Sequence, residues 1–504
     1  MRSAISSRVL IGTGWLTGWR MISRLLGFIS LLVLAQILVP ADFGLIAMAS
    51  AIAAGIEAVS QIGVKDALVR LRDDSTDFYD TAFTLQVARG LITGLVIAAS
   101  AFVSDASLGD PRLRPILFLL ASLSVISGFE NIGIIQLART LNFRAQVLLQ
   151  AIPRLLGFFA TVAVALLLRS YWSLLAGLVI TRLFSVGFSY AAVPHRPRLS
   201  LRGCRYIVYF SFWSWASSIA VFIWSRSDPF ILGPVLGPSL LGLYVISNEI
   251  ACLPVTELIE PISGAIYPGF AFAHRSSGVP ATAAFNVAGV LALFALPFAI
   301  GISACSGYLT TGLLGPTWAG AQPIIAVVTW ICVFSSFSYV CGSVLAAQGH
   351  IRRACFCNTV AAAAKVAVLL VTVAYTHDVA TIAASNATVV ILESALFLWQ
   401  ARLAGNHGTR PLLYALLRAV PTALLTAGVL ACLPYTWASV PFGRTAALIG
   451  GGFIGLLGFA VFFSVHAAIW LASGRPDGPE ATAWRQLRPL LHRIVPLPHS
   501  DLAP

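Results

Sequence analysis

Long apolar runs recur along this chain, and they constrain its fold more than any other feature. Of its 504 residues, 58% are hydrophobic and only 10% are charged, with a mean hydropathy of +0.88. Soluble domains do not reach such values, so a lipid bilayer is the expected solvent. Only helices and closed barrels satisfy all backbone hydrogen bonds in lipid, and these runs are continuous rather than alternating. The sequence therefore predicts an all-α polytopic membrane protein.

The number of apolar runs predicts the number of membrane crossings. A helix needs about 20 apolar residues to span a bilayer, which gives about 14 transmembrane helices here. The runs lie at 9–39, 43–64, 79–103, 115–137, 147–168, 171–193, 207–230, 240–266, 281–305, 319–346, 354–375, 379–401, 412–435 and 445–471. The first run contains Arg20 and Arg24 and has no convincing cleavage site, so we expect it to remain as a helix rather than to be removed as a signal peptide.

Basic residues in the connections predict the orientation of these helices. With a cytoplasmic amino terminus, 20 Lys and Arg residues fall in cytoplasmic segments and 5 fall outside. The positive-inside rule then places both termini in the cytoplasm, as expected for a bacterial inner-membrane protein. The net charge of +13 follows from this topology and from contact with anionic headgroups, so no nucleic-acid partner is predicted.

A short motif that occurs twice predicts an internal repeat. Leu38–Leu45 (LVPADFGL) joins the first two predicted spans, and Leu236–Leu243 (LGPSLLGL) joins the seventh and eighth, 198 residues later. Six spans therefore recur, which predicts two six-helix bundles related by a pseudo-two-fold repeat around a central cavity, the usual architecture of alternating-access transporters. The predicted organisation is an N-terminal bundle at 1–193, a basic cytoplasmic linker at 194–206, a second bundle at 207–402, and two extra C-terminal helices with a cytoplasmic tail at 403–504.

Four segments carry a resemblance to a known family. They are Leu38–Leu45, Gly63–Val69 (GVKDALV), Tyr79–Phe83 (YDTAF) and the stretch Leu253–Pro268 with its spaced prolines. In these segments the chain resembles the Wzx-type oligosaccharide and polysaccharide flippases, which belong to the superfamily of the lipid II flippase and the multidrug and toxin extruders. The resemblance covers roughly residues 10–400 and is densest near the amino terminus.

The resemblance implies a function and a set of partners. Flippases of this family move an oligosaccharide carried on undecaprenyl pyrophosphate across the membrane, and their relatives bind it with arginines of the first helix and nearby helices. The implied partners are the lipid-linked oligosaccharide and the lipid bilayer, with a polysaccharide polymerase or export machinery as a further candidate. A cation-coupled multidrug exporter and a lipid II flippase are the alternatives from the same superfamily.

Ionisable and polar residues within the predicted spans are candidate site residues, because a charge in lipid is costly unless it faces protein, water or a partner. They form stripes on the first, second, third and eleventh predicted spans, which we expect to converge on a wet cavity. The candidate pyrophosphate or cavity residues are Arg20, Arg24, Glu57, Gln61, Gln86, Arg89 and Lys365. Arginine suits this role because its planar fork binds phosphate oxygens in pairs. Alternatively, the arginines of the first helix pair with Glu57 or Asp80 and hold the first bundle together.

The eighth predicted span carries the acidic candidates of the second bundle. They are Glu249, Glu257 and Glu260, on or near one face of a helix that prolines bend. Three roles stay open for this face: contact with sugar hydroxyls, binding of a coupling cation, or pairing with Arg226 or Lys365. Arg226 and Asp228, at the outer end of the seventh span, are candidates for an outer gate or for a solvated ion pair.

The sequence disfavours an enzyme. Membrane glycosyltransferases and polymerases usually place acidic or arginine-bearing motifs on a sizeable outer loop, whereas every predicted outer loop here is short. No phosphate-binding loop motif occurs, and the 8 cysteines are scattered through apolar segments. We therefore expect no catalytic residues, no cofactor and no metal site.

Overall fold

A computed structural model describes most of the chain. The described residues are 2–60, 76–108, 110–139, 142–193, 196–200, 204–253, 281–405, 410–433, 443–476, 479–481 and 484. The chain divides into two compact units. The first unit comprises Met1–Val245 and Leu369–His377, and the second comprises Ile246–Val368 and Asp378–Pro504.

The described residues are overwhelmingly helical, as the hydropathy predicts. The long helices are α1 (Arg2–Ile37), α2 (Pro40–Ser60), α3 (Thr76–Leu108), α4 (Leu113–Gly128), α5 (Phe143–Leu168), α6 (Trp172–Ala192), α7 (Cys204–Ala251), α8 (Ala281–Ala304), α9 (Ala321–Ala347), α10 (Ile351–Tyr375), α11 (Val379–Gly405), α12 (Arg410–Ala431) and α13 (Arg444–Ala472). Each predicted span overlaps one of these helices. The predicted all-α fold is therefore confirmed.

The helices identify a multi-pass membrane protein. Among the described residues, 11 helices are long and apolar enough to cross a membrane, and the segments Leu113–Gly128 and Leu417–Ala431 are shorter apolar helices. Helix α7 contributes one of the 11, although it covers the seventh predicted span and the described part of the eighth. The described residues thus do not confirm the predicted total of about 14 crossings.

Helix α7 is interrupted where the repeated motif predicts a connection between two spans. Gly237 has a φ of 75° and a ψ of 171°, which are not helical values. Glycine adopts this positive φ at little cost because it lacks a Cβ. Gly237 precedes Pro238 just as Val39, between α1 and α2, precedes Pro40. Both copies of the motif therefore mark a break in helical structure that a proline follows.

The two copies of the motif also contact each other within the first unit. A Cβ added at Gly44 would lie 1.7 Å from the carbonyl oxygen of Pro238, and one at Gly242 would lie 1.8 Å from the carbonyl oxygen of Pro40. The contact is reciprocal, because equivalent residues of the two copies exchange roles. We call this contact between Pro40, Gly44, Pro238 and Gly242 the glycine clasp. Only a residue without a side chain lets two helix backbones approach so closely.

Small residues also join other helices of the first unit. A Cβ added at Gly157 of α5 would lie 2.8 Å from the carbonyl oxygen of Gly177 of α6, and the converse distance is 3.0 Å. Helix α1 packs on α5 through a buried cluster of Trp19, Val147 and Ala151. These contacts place α1, α5 and α6 in one packed group that borders the site described below.

The second unit has its own apolar core and a tail segment that folds back onto it. Helices α8, α9, α11, α12 and α13 surround a core of buried apolar side chains. Past the end of α13, Glu480 accepts two hydrogen bonds from the Arg418 guanidinium, at 2.9 and 2.7 Å, and lies 3.6 Å from Nε2 of His466. Burial raises the pKa of Glu480, but the nearby His466 side chain, a backbone hydrogen bond and the Arg418 guanidinium together lower it below its usual value. The described part of the tail therefore packs on α12 and α13.

Candidate functional site

A pocket of about 250 Å³ with both apolar and polar walls lies in the first unit, between α3, α5, α6 and the connection that follows α4. Its described lining consists of Gln86, Glu130, Asn131, Ile132, Ile134, Ile135, Gln146, Leu149, Gln150 and Ser185. Only Gln86 belongs to the candidates drawn from the sequence. We call this the amide pocket, because amide side chains make up most of its polar wall.

Gln86 explains why α4 ends where it does. Hydropathy predicts a span over 115–137, but the helix ends at Gly128. The side-chain nitrogen of Gln86 donates to the carbonyl oxygens of Gly128, at 3.2 Å, and Glu130, at 2.9 Å. These carbonyls are thereby satisfied without further helical turns. Asn131 then caps a short 3₁₀ turn, so the chain bends away and leaves space beside α3.

Several polar groups of the amide pocket have no hydrogen-bond partner among the described residues. The Oε1 atom of Gln146 is buried and accepts no hydrogen bond there. Gln150 and Ser185 make no side-chain hydrogen bond to a described residue, and Gln86 uses only its amide nitrogen. Gln150 is exposed and Ser185 half-buried, so the Gln146 oxygen is the buried group among them. Buried polar groups in proteins are nearly always paired. The amide pocket is therefore suited to a polar ligand or to ordered water.

The arginine candidates for pyrophosphate binding and Glu57 lie in the first unit but outside the amide pocket. Arg20 and Arg24 are exposed on α1, and Arg89 is half-buried on α3, one turn after Gln86. Glu57 is half-buried near the end of α2. None of these four charged residues belongs to the described lining of the pocket. The pyrophosphate-binding role of the arginines stays a prediction.

A further arginine lies beside α1. The guanidinium of Arg154, on α5, would be 3.6 Å from a Cβ added at Gly27. Gly27 is three residues after Arg24, so the two lie on adjoining turns of one side of α1. The packing of α5 on α1 thus brings Arg154 close to the basic side of α1. Sequence spacing could not reveal this proximity, because the two helices are far apart in the chain.

Two oppositely charged residues are buried in the second unit. Lys365, near the middle of α10, is 6% exposed and interacts electrostatically with Glu393, near the middle of α11, which is 8% exposed. Glu393 is missing from the candidates drawn from the sequence, although a lone carboxylate in an apolar span is itself a signal of function. Glu249 is exposed at the end of α7.

The remaining candidates divide between described and undescribed parts of the chain. Asp228 is buried on α7 and accepts a hydrogen bond of 3.1 Å from the Tyr244 hydroxyl, whereas Arg226 is exposed. A gating role for these two residues stays a prediction. Gln61, Glu257 and Glu260 lie outside the described residues.

Comparison with known proteins identifies the family. Residues 33–323, more than half of the chain, match the family model described as "Polysaccharide biosynthesis protein". The chain belongs to this family. The match confirms the resemblance that the motif at Leu38–Leu45 and its companions predict. The amide pocket lies within the matched region, and the basic side of α1 lies immediately before it.

Two curated relatives are similar in sequence to this chain over more than half of its length. The succinoglycan biosynthesis transport protein ExoT of Rhizobium meliloti (strain 1021) is 26% identical over 317 residues, which are 62% of this chain and 64% of ExoT. The lipopolysaccharide biosynthesis protein WzxC of Escherichia coli (strain K12) is 22% identical over 357 residues, 69% of each chain. The match thus spans slightly less than two thirds of ExoT.

A solved structure confirms the fold. The lipid II flippase MurJ, in an inward closed conformation, superposes with a TM-score of 0.70 and covers 91% of this chain and 99% of MurJ. The two sequences are only 11% identical, so the similarity establishes a shared fold and nothing about substrates. The chain therefore shares the fold of MurJ.

Proposed function

We propose that this protein is a flippase that moves an oligosaccharide linked to undecaprenyl pyrophosphate across the bacterial inner membrane. The observation that carries the proposal is the match of residues 33–323 to a polysaccharide biosynthesis family. It is supported by the similarity to ExoT, which is named a transport protein, and by the fold shared with a lipid II flippase. The flipped product is the material that a polysaccharide polymerase or export machinery uses, and such machinery is the partner we propose.

The proposed mechanism is alternating access between two bundles, at 1–193 and 207–402, joined by the linker at 194–206. In this mechanism the pyrophosphate is bound by Arg20, Arg24 and Arg89. Guanidinium groups suit this ligand because they stay charged and bind phosphate oxygens in pairs. The other proposed cavity residues are Glu57, Gln61, Gln86 and Lys365.

The second bundle is proposed to supply coupling and gating. Glu249, Glu257 and Glu260 are proposed to contact sugar hydroxyls or a coupling cation. The buried Lys365 and Glu393 support this assignment, because ionisable residues in mid-membrane are rare outside functional pathways. Arg226 and Asp228 are proposed to lie at the outer gate.

In this proposal the protein acts as a transporter and not as an enzyme, because moving a lipid between leaflets makes and breaks no covalent bond. A cation-coupled drug exporter would need a cavity that attracts cations. Arg20 and Arg24 on α1, with Arg154 beside them, create positive potential instead. A negatively charged lipid-linked substrate fits this charge distribution better.

The orientation gives a direct test of topology. Reporter fusions within 194–205 and at the carboxyl terminus should show a cytoplasmic location, and fusions after Asp105 or Gly307 should show the outside, because 20 basic residues favour that arrangement over 5. The measurement is the activity of paired alkaline phosphatase and green fluorescent protein fusions at each site. An outside signal at either cytoplasmic site would overturn the proposed orientation.

Deleting the gene tests the function in the cell. A deletion strain should lose its polymer and accumulate lipid-linked oligosaccharide in the cytoplasmic leaflet, and the intact gene should restore export. The measurement combines polymer quantification with extraction of the lipid-linked intermediate. Loss of polymer without accumulation of the intermediate would instead indicate a step before translocation.

A further inference from the structure

We propose that the amide pocket binds one sugar ring of the transported glycan and so contributes to the choice of substrate. This inference rests on the proposed flippase function, but it concerns a site distinct from the arginines. The pocket is defined by the side chains of α3, α5 and α6 and by the connection after α4. It holds groups that match a neutral, hydroxyl-rich ligand better than a phosphate.

The charge of the lining disfavours an anion. Its described residues include one carboxylate, Glu130, and no lysine or arginine. The described lining therefore offers no cation to a pyrophosphate placed here, and an unneutralised anion is unfavourable in a low-dielectric site. Sugar hydroxyls are neutral, and they both donate and accept hydrogen bonds. The carboxylate of Glu130 accepts from such hydroxyls without electrostatic cost.

The hydrogen-bonding groups left over in the pocket match a sugar ring. The buried Oε1 atom of Gln146 is an acceptor without a donor among the described residues. Gln150 and Ser185 have no side-chain hydrogen bond to a described residue, so each can donate and accept. A ligand with several adjacent hydroxyls pairs with these groups at once. Leaving the buried Oε1 atom of Gln146 unpaired costs free energy, so a matching ligand gains affinity and a mismatched one loses it.

An apolar surface completes the pocket. Ile132, Ile134, Ile135 and Leu149 contribute aliphatic side chains to the same lining. A pyranose ring has a face of C–H bonds as well as a rim of hydroxyls, so it needs both kinds of wall. The volume of about 250 Å³ is slightly below the range of roughly 300–1,000 Å³ typical of drug-sized ligands. The pocket is therefore suited to one ring rather than to a whole oligosaccharide.

The position of the pocket fits loading from the cytoplasm. Glu130 and Asn131 follow the end of α4, and Gln146 lies in the first turn of α5. Arg139 lies between these helices and Arg144 in the first turn of α5, and this region is on the cytoplasmic side in the proposed orientation. The lipid-linked oligosaccharide is presented from that side. A sugar ring can then reach the pocket before translocation.

Binding measurements on the purified full chain in lipid nanodiscs test the inference. The probes are a polyprenyl pyrophosphate without sugar and the same lipid bearing one glucose, galactose or mannose. The variants are Gln146→Leu and, as a matched control, Gln348→Leu, because the Oε1 atom of Gln348 is also buried without a partner but lies outside the pocket. Both changes remove an unpaired buried acceptor, so neither should lower the thermal stability.

The expected result is selective. Wild-type protein should bind at least one sugar-bearing lipid about tenfold more tightly than the bare lipid, and Gln146→Leu should remove most of that preference without changing the affinity for the bare lipid. Gln348→Leu should behave as the wild type. A wild type that binds all four lipids equally, or a Gln146→Leu variant that keeps the preference, would overturn the sugar site. Failure of the wild type to bind any of the lipids would instead overturn the proposed flippase function.

Discussion

Gly242→Ala should leave almost no folded protein in the membrane. The added Cβ would lie 1.8 Å from the backbone carbonyl oxygen of Pro40, and the reciprocal contact places Gly44 against Pro238. A backbone atom cannot rotate away as a flexible side chain can, so the two helices would have to separate. We expect a loss of more than about 3 kcal/mol, beyond the range of about 1–3 kcal/mol typical of overpacked cores, because the obstacle is backbone. Gly44→Ala should have the same effect for the same reason.

The glycine clasp is tested by the yield and the thermal stability of monodisperse protein. Both are measured by fluorescence-detected size-exclusion chromatography. Gly187→Ala is the matched control, because a Cβ at that helical glycine of α6 would meet nothing within 4 Å. It should leave yield unchanged or raise it slightly. A normal yield and an unchanged melting temperature for Gly242→Ala would contradict the close approach of the two motif copies.

Arg24→Ala should abolish polymer export while leaving the protein inserted. If Arg24 grips the pyrophosphate, losing its charge-assisted, paired hydrogen bonds should cost about a hundredfold in transport rate. Arg24→Lys keeps the charge but loses the planar fork, so it should retain partial export. The exposure of Arg24 on α1 favours this outcome, since removing an exposed side chain disturbs packing little. The measurement is export in the deletion strain, normalised to inserted protein.

A scaffolding role for Arg24 predicts a different pattern. If Arg24 only neutralises Glu57, the alanine variant would leave the half-buried Glu57 carboxylate without its counter-charge. The amount of folded protein would then fall. The double variant with Glu57→Gln would then recover both abundance and export. Low abundance restored in this way would remove Arg24 from the substrate site. Normal abundance of the Arg24→Ala protein without polymer export supports pyrophosphate binding by Arg24.

Hydropathy predicted the elements of this fold well, because each membrane span is a local property of about twenty residues. The repeated motif also predicted the break at Gly237, since its first copy joins two separate predicted spans. The end of α4 was predicted too late. Gln86 lies 42 residues before Gly128 in the chain, yet its side-chain amide donates a hydrogen bond to the carbonyl oxygen of Gly128. The residues around Gly128 do not indicate that such a distant side chain will bind there.

The candidate site was predictable only in part, for the same physical reason. A single polar residue such as Gln86 stands out in an apolar span, and so does Lys365. The amide pocket depends on Gln146 and Glu130, which lie near helix ends where polar residues are ordinary. The pairing of Lys365 with Glu393 and the contact of Arg418 with Glu480 depend on how helices pack. Packing partners follow from the assembled fold and not from spacing along the chain.

The central claim is best tested by reconstituting the purified protein in liposomes with a fluorescent lipid-linked oligosaccharide in both leaflets. A membrane-impermeant glycosidase then reports the fraction of the lipid that reaches the outer leaflet, with or without an imposed ion gradient. We predict that the accessible fraction rises toward the whole pool with the wild-type protein and stays at the protein-free level with Arg24→Ala. An accessible fraction that is the same with and without the wild-type protein, under every gradient, would contradict the flippase function.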